Sequence, residues 1–305
     1  MSEIAISVDA MTKSYGELVA VDGISFEVSR GEVFGLLGPN GAGKTTTLET
    51  LEGLREPDQG RLRVLGVDPF RRPRKLRDLI GVQLQSGALP ENIHVGEAMG
   101  LFCAYHGVDP RDDLLDRMDL SSKRKAQYHE LSAGQQRRLA LALAVAHDPP
   151  VVFLDEPTAG LDVPSRVGLH ALIRELQGSG TTIVLATHDM AEAEQMADRV
   201  AILLHGKIAA TGSPLELTAT GAGLTKILAR TERGCLLGAH THLPDISHQT
   251  VKGPYWICYS TDTGPTLSAL IAHIEAQGDA LIDLRVERPS LEDRFLEIVG
   301  SGDKA

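Results

Sequence analysis

The sequence predicts an α/β fold over its first 215 residues and a smaller α+β domain after them. Three observations carry that reading. Short apolar, strand-like runs alternate with helical patterns through the first two-thirds of the chain. Two of the runs, Val33–Leu37 and residues 151–154, are apolar at every position, as strands covered by helices on both faces are. The turn-rich Thr211-Gly212-Ser213-Pro214, followed by small residues at 219–223, marks a boundary. A chain of 305 residues is also long for one core, so a large domain with a smaller companion is the natural division.

In chain order, residues 4–8, 19–28, 33–37 and 61–65 read as strands. A stretch from about residue 90 to 130–135 has helical patterning and mixed charge, and reads as a helical insertion. Strands follow at 151–154, 181–186 and 200–204. Beyond residue 216, strand-like runs at 226–229 and 255–259 precede a helix at 267–276, a strand at 280–286 and a closing helix at 290–299. The expected domains are therefore residues 1–215 and 216–305.

Composition excludes several classes. Lys and Arg number 30 against 41 Asp and Glu, a net charge of −11, and residues 216–305 are acidic in their own right. Neither part has the basic excess of a duplex binder, and an aromatic share of 4% is a poor base-stacking surface, so no nucleic-acid partner is expected. The first ten residues lack the basic and apolar regions of a signal peptide. The longest apolar runs, such as residues 139–146, are far short of the roughly 20 residues that cross a bilayer. Cys103, Cys235 and Cys258 have no metal-ligand spacing and read as reduced thiols. The basic run from Arg71 to Arg77 reads as a solvated helix start.

The most informative residues are Gly38-Pro39-Asn40-Gly41-Ala42-Gly43-Lys44-Thr45, which fit G-x-x-x-x-G-K-[ST] between a buried strand and a helix. Glycines let the backbone curl so that several N–H groups converge on a phosphate, aided by the dipole of the following helix. Lys44 is placed to reach the β- and γ-phosphates and Thr45 to ligate Mg²⁺, with Thr46 beside them in the nucleotide-binding set. The apolar run at 151–154 then ends in Asp155-Glu156. Carboxylates at that strand end suit Mg²⁺ binding by Asp155 and polarisation of an attacking water by Glu156. ATP and Mg²⁺ are the expected ligands.

Leu131-Ser132-Ala133-Gly134-Gln135 resembles the L-S-G-G-Q signature of ATP-binding-cassette (ABC) ATPases, with Ala133 replacing the first glycine. Ser132 and Gly134 suit a helix N-terminus that offers a hydroxyl and free N–H groups to a phosphate. Other elements of that family stand in the expected order. Tyr15 resembles the residue that stacks on adenine, and Gln85 the loop glutamine that senses Mg²⁺ and water and contacts the transport channel. Asp162, in Ala159-Gly160-Leu161-Asp162, resembles the dimer-contacting loop, and His188 the switch histidine beside the γ-phosphate.

The resemblance covers residues 4 to about 215 and implies a phosphate-loop ATPase fold. It implies Lys44, Gln85, Glu156 and His188 as catalytic residues, and Thr45, Gln85 and Asp155 around Mg²⁺. Ser132, Gly134, Gln135 and Asp162 would act on the ATP of a second subunit. One phosphate loop and one signature per chain imply a head-to-tail, ATP-dependent homodimer. The run from Arg288 to Glu297, with Pro289-Ser290-Leu291-Glu292-Asp293-Arg294-Phe295-Leu296, resembles the terminal motif of drug-resistance-type ABC ATPases, with Arg294 where valine is commoner. That subgroup implies export of a hydrophobic drug, antibiotic or lipid-like compound through a separate transmembrane permease. The chain would then be held at the cytoplasmic face of the cell membrane. A soluble ABC ATPase acting on ribosomes or another cytosolic partner is the competing reading.

Overall fold

The computed structural model describes residues 3–85, 89–220, 224–238, 243–287 and 290–302. They fall into two compact units, Met1–Ser213 and Pro214–Ala305.

The first unit opens with a long hairpin, β1 (Ile4–Tyr15) and β2 (Leu18–Ser29), which extends well beyond the runs read from sequence. Gly16, at φ 61°, makes the tight turn and leaves Tyr15 at the hairpin tip. Then come β3 (Val33–Leu37), α1 (Lys44–Leu51), β4 (Gln59–Val64), α2 (Pro73–Arg77) and β5 (Ile80–Gln83). The helical insertion holds α3 (Val95–His106), α4 (Asp112–Arg117) and α5 (Ala133–Ala144). β6 (Val151–Asp155), α6 (Val163–Gly178), β7 (Thr182–Thr187), α7 (Met190–Met196), β8 (Arg199–Leu204) and β9 (Lys207–Gly212) complete it.

Its described strands form an antiparallel sheet ordered β2-β1-β4 and a larger sheet ordered β5-β6-β7-β3-β8-β9. In the larger sheet every pairing is parallel except β8 with β9. β3, β6 and β7 are buried along their whole length, which is why they carry no polar alternation. The core runs through both sheets and includes Phe26 stacked on Phe34 at 5.2 Å. Two strands were not read from sequence. β5 is only four residues and contains Gly81, where a Cβ would lie 2.1 Å from the Ala144 carbonyl oxygen. β9 runs into the first two residues of the turn-rich Thr211–Pro214 and alternates half-buried with exposed residues, as an edge strand does.

The second unit holds α8 (Pro214–Thr220), β10 (Thr225–Thr231), β11 (Ile246–Lys252), β12 (Tyr255–Ser260), α9 (Thr263–Ala276), β13 (Leu281–Glu287) and α10 (Leu291–Gly302). Its antiparallel sheet is ordered β11-β12-β10-β13. α9 covers one face, and Ile227, Ala229, Trp256, Cys258, Leu270 and Ile274 form the core between them. α9 begins earlier than the apolar pattern suggests, because Asp262 caps it by accepting the Gly264 N–H at 3.3 Å. β11 escaped sequence reading because its residues are mostly polar and exposed. The start of α10 has a reciprocal cap between Ser290 and Asp293, while Arg288 and Pro289 of the terminal motif lie outside the described residues. Among the described residues, no helix is long and apolar enough to cross a membrane.

Candidate active site

The strands β6, β7 and β3 lie side by side, with Asp155 level with Ala186 and Thr187 level with Leu37. Three loops therefore leave adjacent carboxyl ends, the place where open α/β sheets bind ligands. The loop after β3 is shaped by its glycines. At Gly38 a Cβ would sit 2.4 Å from the Leu203 carbonyl oxygen, and at Gly43, φ 102°, one would sit 2.5 Å from that of Ala20. Side chains are excluded from both positions, which lets the backbone between them curl, with Ala42 N–H donating to the Pro39 carbonyl at 3.2 Å.

Lys44 opens α1 and is buried. Its Nζ donates to the carbonyls of Gly38 (2.8 Å) and Pro39 (3.2 Å) and lies 3.7 Å from Glu156 Oε1. Burial pushes its pKa below the ordinary lysine value, against the pull of the Glu156 and Asp155 charges. Asp155, also buried, has its pKa raised by burial, a shift opposed by a hydrogen bond with the Thr45 side chain. Asp155 Oδ1 is fully buried without a hydrogen-bond partner. A hard-oxygen pair of hydroxyl and carboxylate, one lone oxygen still unsatisfied, fits a Mg²⁺ that takes its remaining ligands from phosphates and water. Among the described residues there is no cluster of three or more His, Cys, Asp or Glu that would hold a metal by itself.

Glu156 is the hub. Its backbone takes the left-handed region at φ 49°, uncommon for a non-glycine residue and a form of strain typical of functional positions. Its N–H donates to Ala186 at 2.8 Å, and its carbonyl accepts from Arg137 of α5. Both carboxylate oxygens lie within 2.9 Å of His188 Nδ1, on the loop after β7. His188 is held by its neighbours: Asp189 N–H donates to the Thr187 hydroxyl (3.0 Å), which donates to buried Glu192 (2.9 Å). Burial raises the Glu192 pKa, partly offset by hydrogen bonds from Thr187 and Thr158.

Tyr15, Asn40 to Thr46, Gln85 and Glu156 line one cavity of about 350 Å³, together with Leu18 and Ala20. Tyr15 is 40% exposed, with the Arg55 guanidinium carbon 5.4 Å and Lys13 Nζ 5.8 Å from its ring centre. The remaining sequence candidates are not brought to this cavity. Ser132 caps α5 in a reciprocal box with Gln135: the Gln135 N–H donates to Ser132 Oγ (3.3 Å) and the Ser132 N–H to Gln135 Oε1 (2.9 Å). Gly134 follows in the first turn, and Asp162 caps α6 by accepting the Ser165 N–H at 2.9 Å. None of these four lines the cavity of its own chain. Arg137, Thr187, Glu192 and Arg55 were not singled out from sequence. The only signal for them was proximity to motifs, since what they contact is set by the fold.

This geometry, a phosphate loop with a Lys, Asp and Glu set at adjacent strand ends, defines a phosphate-loop ATPase. Residues 21–159 match the family described as ABC transporter. The chain is 37% identical over 313 residues to the daunorubicin resistance ATP-binding protein DrrA3 of Streptomyces coeruleorubidus, covering 98% of this chain and 97% of that protein. It is 39% identical over 308 residues to the Nod factor export ATP-binding protein I of Paraburkholderia xenovorans, covering 98% of each. Among solved structures, an ATP-binding subunit of an ABC transporter matches with TM-score 0.66 and 27% identity over 70% of this chain and 91% of that one. A dimeric ATP-binding cassette in a post-hydrolysis state, bound to ADP and Pi, matches with TM-score 0.64 and 26% identity over 68% and 98%. The protein belongs to the ATP-hydrolysing, ATP-binding subunits of the ABC transporter family.

Proposed function

We propose that this chain hydrolyses ATP to power export of a hydrophobic drug-like, antibiotic or lipid-like compound through a separate transmembrane permease, at the cytoplasmic face of the membrane. The observation that carries the chemistry is the Glu156 carboxylate, buried, within 2.9 Å of His188 Nδ1 and 3.7 Å from Lys44 Nζ. Export is supported by the names of relatives that align along almost the whole chain.

In this reading the N–H groups of residues 40–46 and the Lys44 ammonium hold the phosphates, and Tyr15 holds the adenine face. Thr45 and Asp155 hold Mg²⁺, with Gln85 beside them; the ion, when bound, supplies charge neutralisation on the phosphate oxygens. Glu156 accepts the proton of the attacking water, and His188 Nδ1 fixes the carboxylate while its exposed ring faces outward. The Ser132 hydroxyl, the N–H groups of Gly134 and Gln135, and Asp162 serve the ATP of a second copy. That assignment rests on the resemblance of Leu131–Gln135 and Ala159–Asp162 to the family's signature and dimer-contacting loop. Glu156→Gln keeps shape and loses the base, so it is expected to accumulate an ATP-bound dimer on a sizing column. A strictly monomeric Glu156→Gln protein in excess ATP would sink the two-copy site. Purification from native membranes in mild detergent tests export: a stoichiometric polytopic membrane protein is expected, whereas soluble partners alone would overturn it.

A further inference from the structure

Glu192, in the first turn of α7, is an acid only 3% exposed, and its carboxyl group is set between two loops. From one loop Thr187, the residue before His188, donates its hydroxyl at 2.9 Å. From the other Thr158, two residues after Glu156 and also buried, makes a second side-chain hydrogen bond to it. The backbone of Glu192 is fixed as well, because its N–H donates to the Asp189 side chain that caps α7, at 3.1 Å. One side chain therefore fastens the segment that carries the Glu156 carboxylate to the segment that carries its histidine.

Packing does not account for an acid at this place. Among the described residues the only ion-pair neighbour of Glu192 is His170 of α6, whose Nε2 lies 3.6 Å from Oε1. Burial, with the Arg166 and Arg174 charges, lowers the His170 pKa, so the ring is neutral near pH 7. The charges of Asp189 and Glu156 act against a carboxylate here. A buried acid with no cation beside it costs stability, and a methionine of similar volume would fill the space without that cost. What the carboxylate supplies and an alkyl chain cannot is a pair of directed acceptors, which hold two hydroxyls at once.

Those hydroxyls stand where position matters. The two loops are joined by their backbones at one point, where the Glu156 N–H donates to the Ala186 carbonyl at 2.8 Å. Glu192 joins them at a second, and the His188–Glu156 contact lies beside both. The left-handed backbone of Glu156 persists only where its surroundings over-determine it, and the tie through Thr158 is one of those constraints.

We propose that Glu192 is a positioning residue for ATP hydrolysis: it binds Thr158 and Thr187 together and so keeps His188 Nδ1 against the Glu156 carboxylate. The inference rests on the reading of Glu156 as the base and of His188 as the residue that fixes it. Glu192 does not line the cavity that holds the phosphate loop, so it acts on the rate and not on nucleotide affinity.

The test is steady-state ATPase kinetics of the full chain beside calorimetry. Glu192→Met keeps the volume and removes both acceptors. It is expected to melt no lower than the wild type yet to lose about tenfold or more in kcat, with the KM for ATP within about twofold. Glu192→Gln, whose carbonyl accepts one hydroxyl while its amide donates to the other, recovers most of that loss. Thr158→Val removes one arm of the tie and lowers kcat by about threefold. In a His188→Ala protein, where the positioned contact is already gone, Glu192→Met costs less than about twofold further. Wild-type kcat in Glu192→Met overturns the proposal. So does a Glu192→Gln protein as slow as Glu192→Met, or an undiminished further loss in the His188→Ala background. A Glu156→Gln protein with wild-type turnover would overturn the base itself and this proposal with it, whereas an inactive Glu156→Gln beside an unchanged Glu192→Met overturns the tie alone.

Discussion

The two units bury a sheet in different ways, and the difference decides where chemistry can sit. In the first, β3, β6 and β7 are buried at every residue, because helices or a second sheet cover both faces. Polar groups are driven to the strand ends, and three adjacent ends deliver the phosphate loop, Asp155-Glu156 and His188 to one place. In the second, β10 alternates buried and half-buried residues over a single helix-covered core. Its polar groups are spread along the faces of strands, as Lys226 and Tyr259 are around Asp293, where they tie down α10. A doubly covered parallel sheet concentrates charge, whereas a singly covered antiparallel one disperses it.

The sharpest way to break that contrast is to remove the central group of each unit. Glu156→Gln is expected to lower ATP turnover by about 10²–10⁴-fold with little change in melting temperature. Trp256→Ala, in the core of the second unit, is expected to cost about 3–5 kcal/mol of stability. Steady-state ATPase assays and calorimetry on both variants check the separation. Equal losses of turnover would show that the dispersed unit is as much a part of the chemistry as the concentrated one.

Glycines sharpen the contrast next. Gly81 in β5 has no room for a Cβ, which would meet the Ala144 carbonyl oxygen, so Gly81→Ala is expected to destabilise the first unit by about 3 kcal/mol. Gly253, in the β11–β12 turn at φ 59°, has open space where a Cβ would point, with no atom within 4 Å. Gly253→Ala therefore costs only the left-handed backbone penalty, about 1 kcal/mol. Chemical denaturation of each variant reads the ratio.

How far the sequence disclosed this depended on whether the information was local. The phosphate loop and Asp155-Glu156 are contiguous and chemically constrained, so both could be read from residue type and spacing. Tyr15, Gln85, Ser132, Asp162 and His188 carry no such signature by themselves and were legible only through resemblance to a family. β5, β9 and β11 were missed because each is short or too polar to show a period, and pairing supplies what propensity does not. Arg137, which holds the Glu156 carbonyl, and Glu192, which holds Thr187, were invisible because their partners lie on other elements. Glu52 and Gln83 were invisible for a different reason: both are buried by the fold, with carboxyl or amide oxygens that have no hydrogen-bond partner.

Glu52 in the first unit and Asp293 in the second respond to pH in opposite directions. Burial, reinforced by the Asp155 and Glu49 charges, raises its pKa from 4.5 to about 8. Below 4.5 both folded and unfolded chains hold the proton; between 4.5 and about 8 only the folded chain does. Stability therefore falls with rising pH across that window, by up to ~1.4 kcal/mol per pH unit. Glu52→Gln removes the dependence and is expected to stabilise the protein at about pH 7.5 by on the order of 2 kcal/mol. Asp293 in the second unit goes the other way. Burial opposes its charge, but hydrogen bonds from Tyr259 and Ser290 and the nearby Lys226 outweigh it and depress its pKa. Its contribution is present above the ordinary aspartate value of 3.8 and is lost as pH falls below it. Unfolding followed from about pH 2 to 8 distinguishes the two, and a Glu52→Gln protein that kept the wild-type slope between 4.5 and about 8 would remove Glu52 as the cause.

The smallest effect discriminates best, because it compares the same local device in both units. Ser132 at the start of α5 and Ser290 at the start of α10 cap their helices almost identically. The N–H three residues on donates to the serine hydroxyl at 3.3 Å for Ser132 and 3.2 Å for Ser290, and the side chain three residues on accepts the serine N–H at 2.9 Å in both. Ser→Ala at either is expected to cost about 1 kcal/mol, the usual worth of a cap. If capping were the whole role of Ser132, the two variants would match in every assay. With the Ser132 hydroxyl reaching the ATP of a second copy, Ser132→Ala loses cooperative turnover as well, while Ser290→Ala retains it. Equal stability loss with unequal ATPase activity is the expected pair of results; equal ATPase activity would reduce the signature serine to a helix cap.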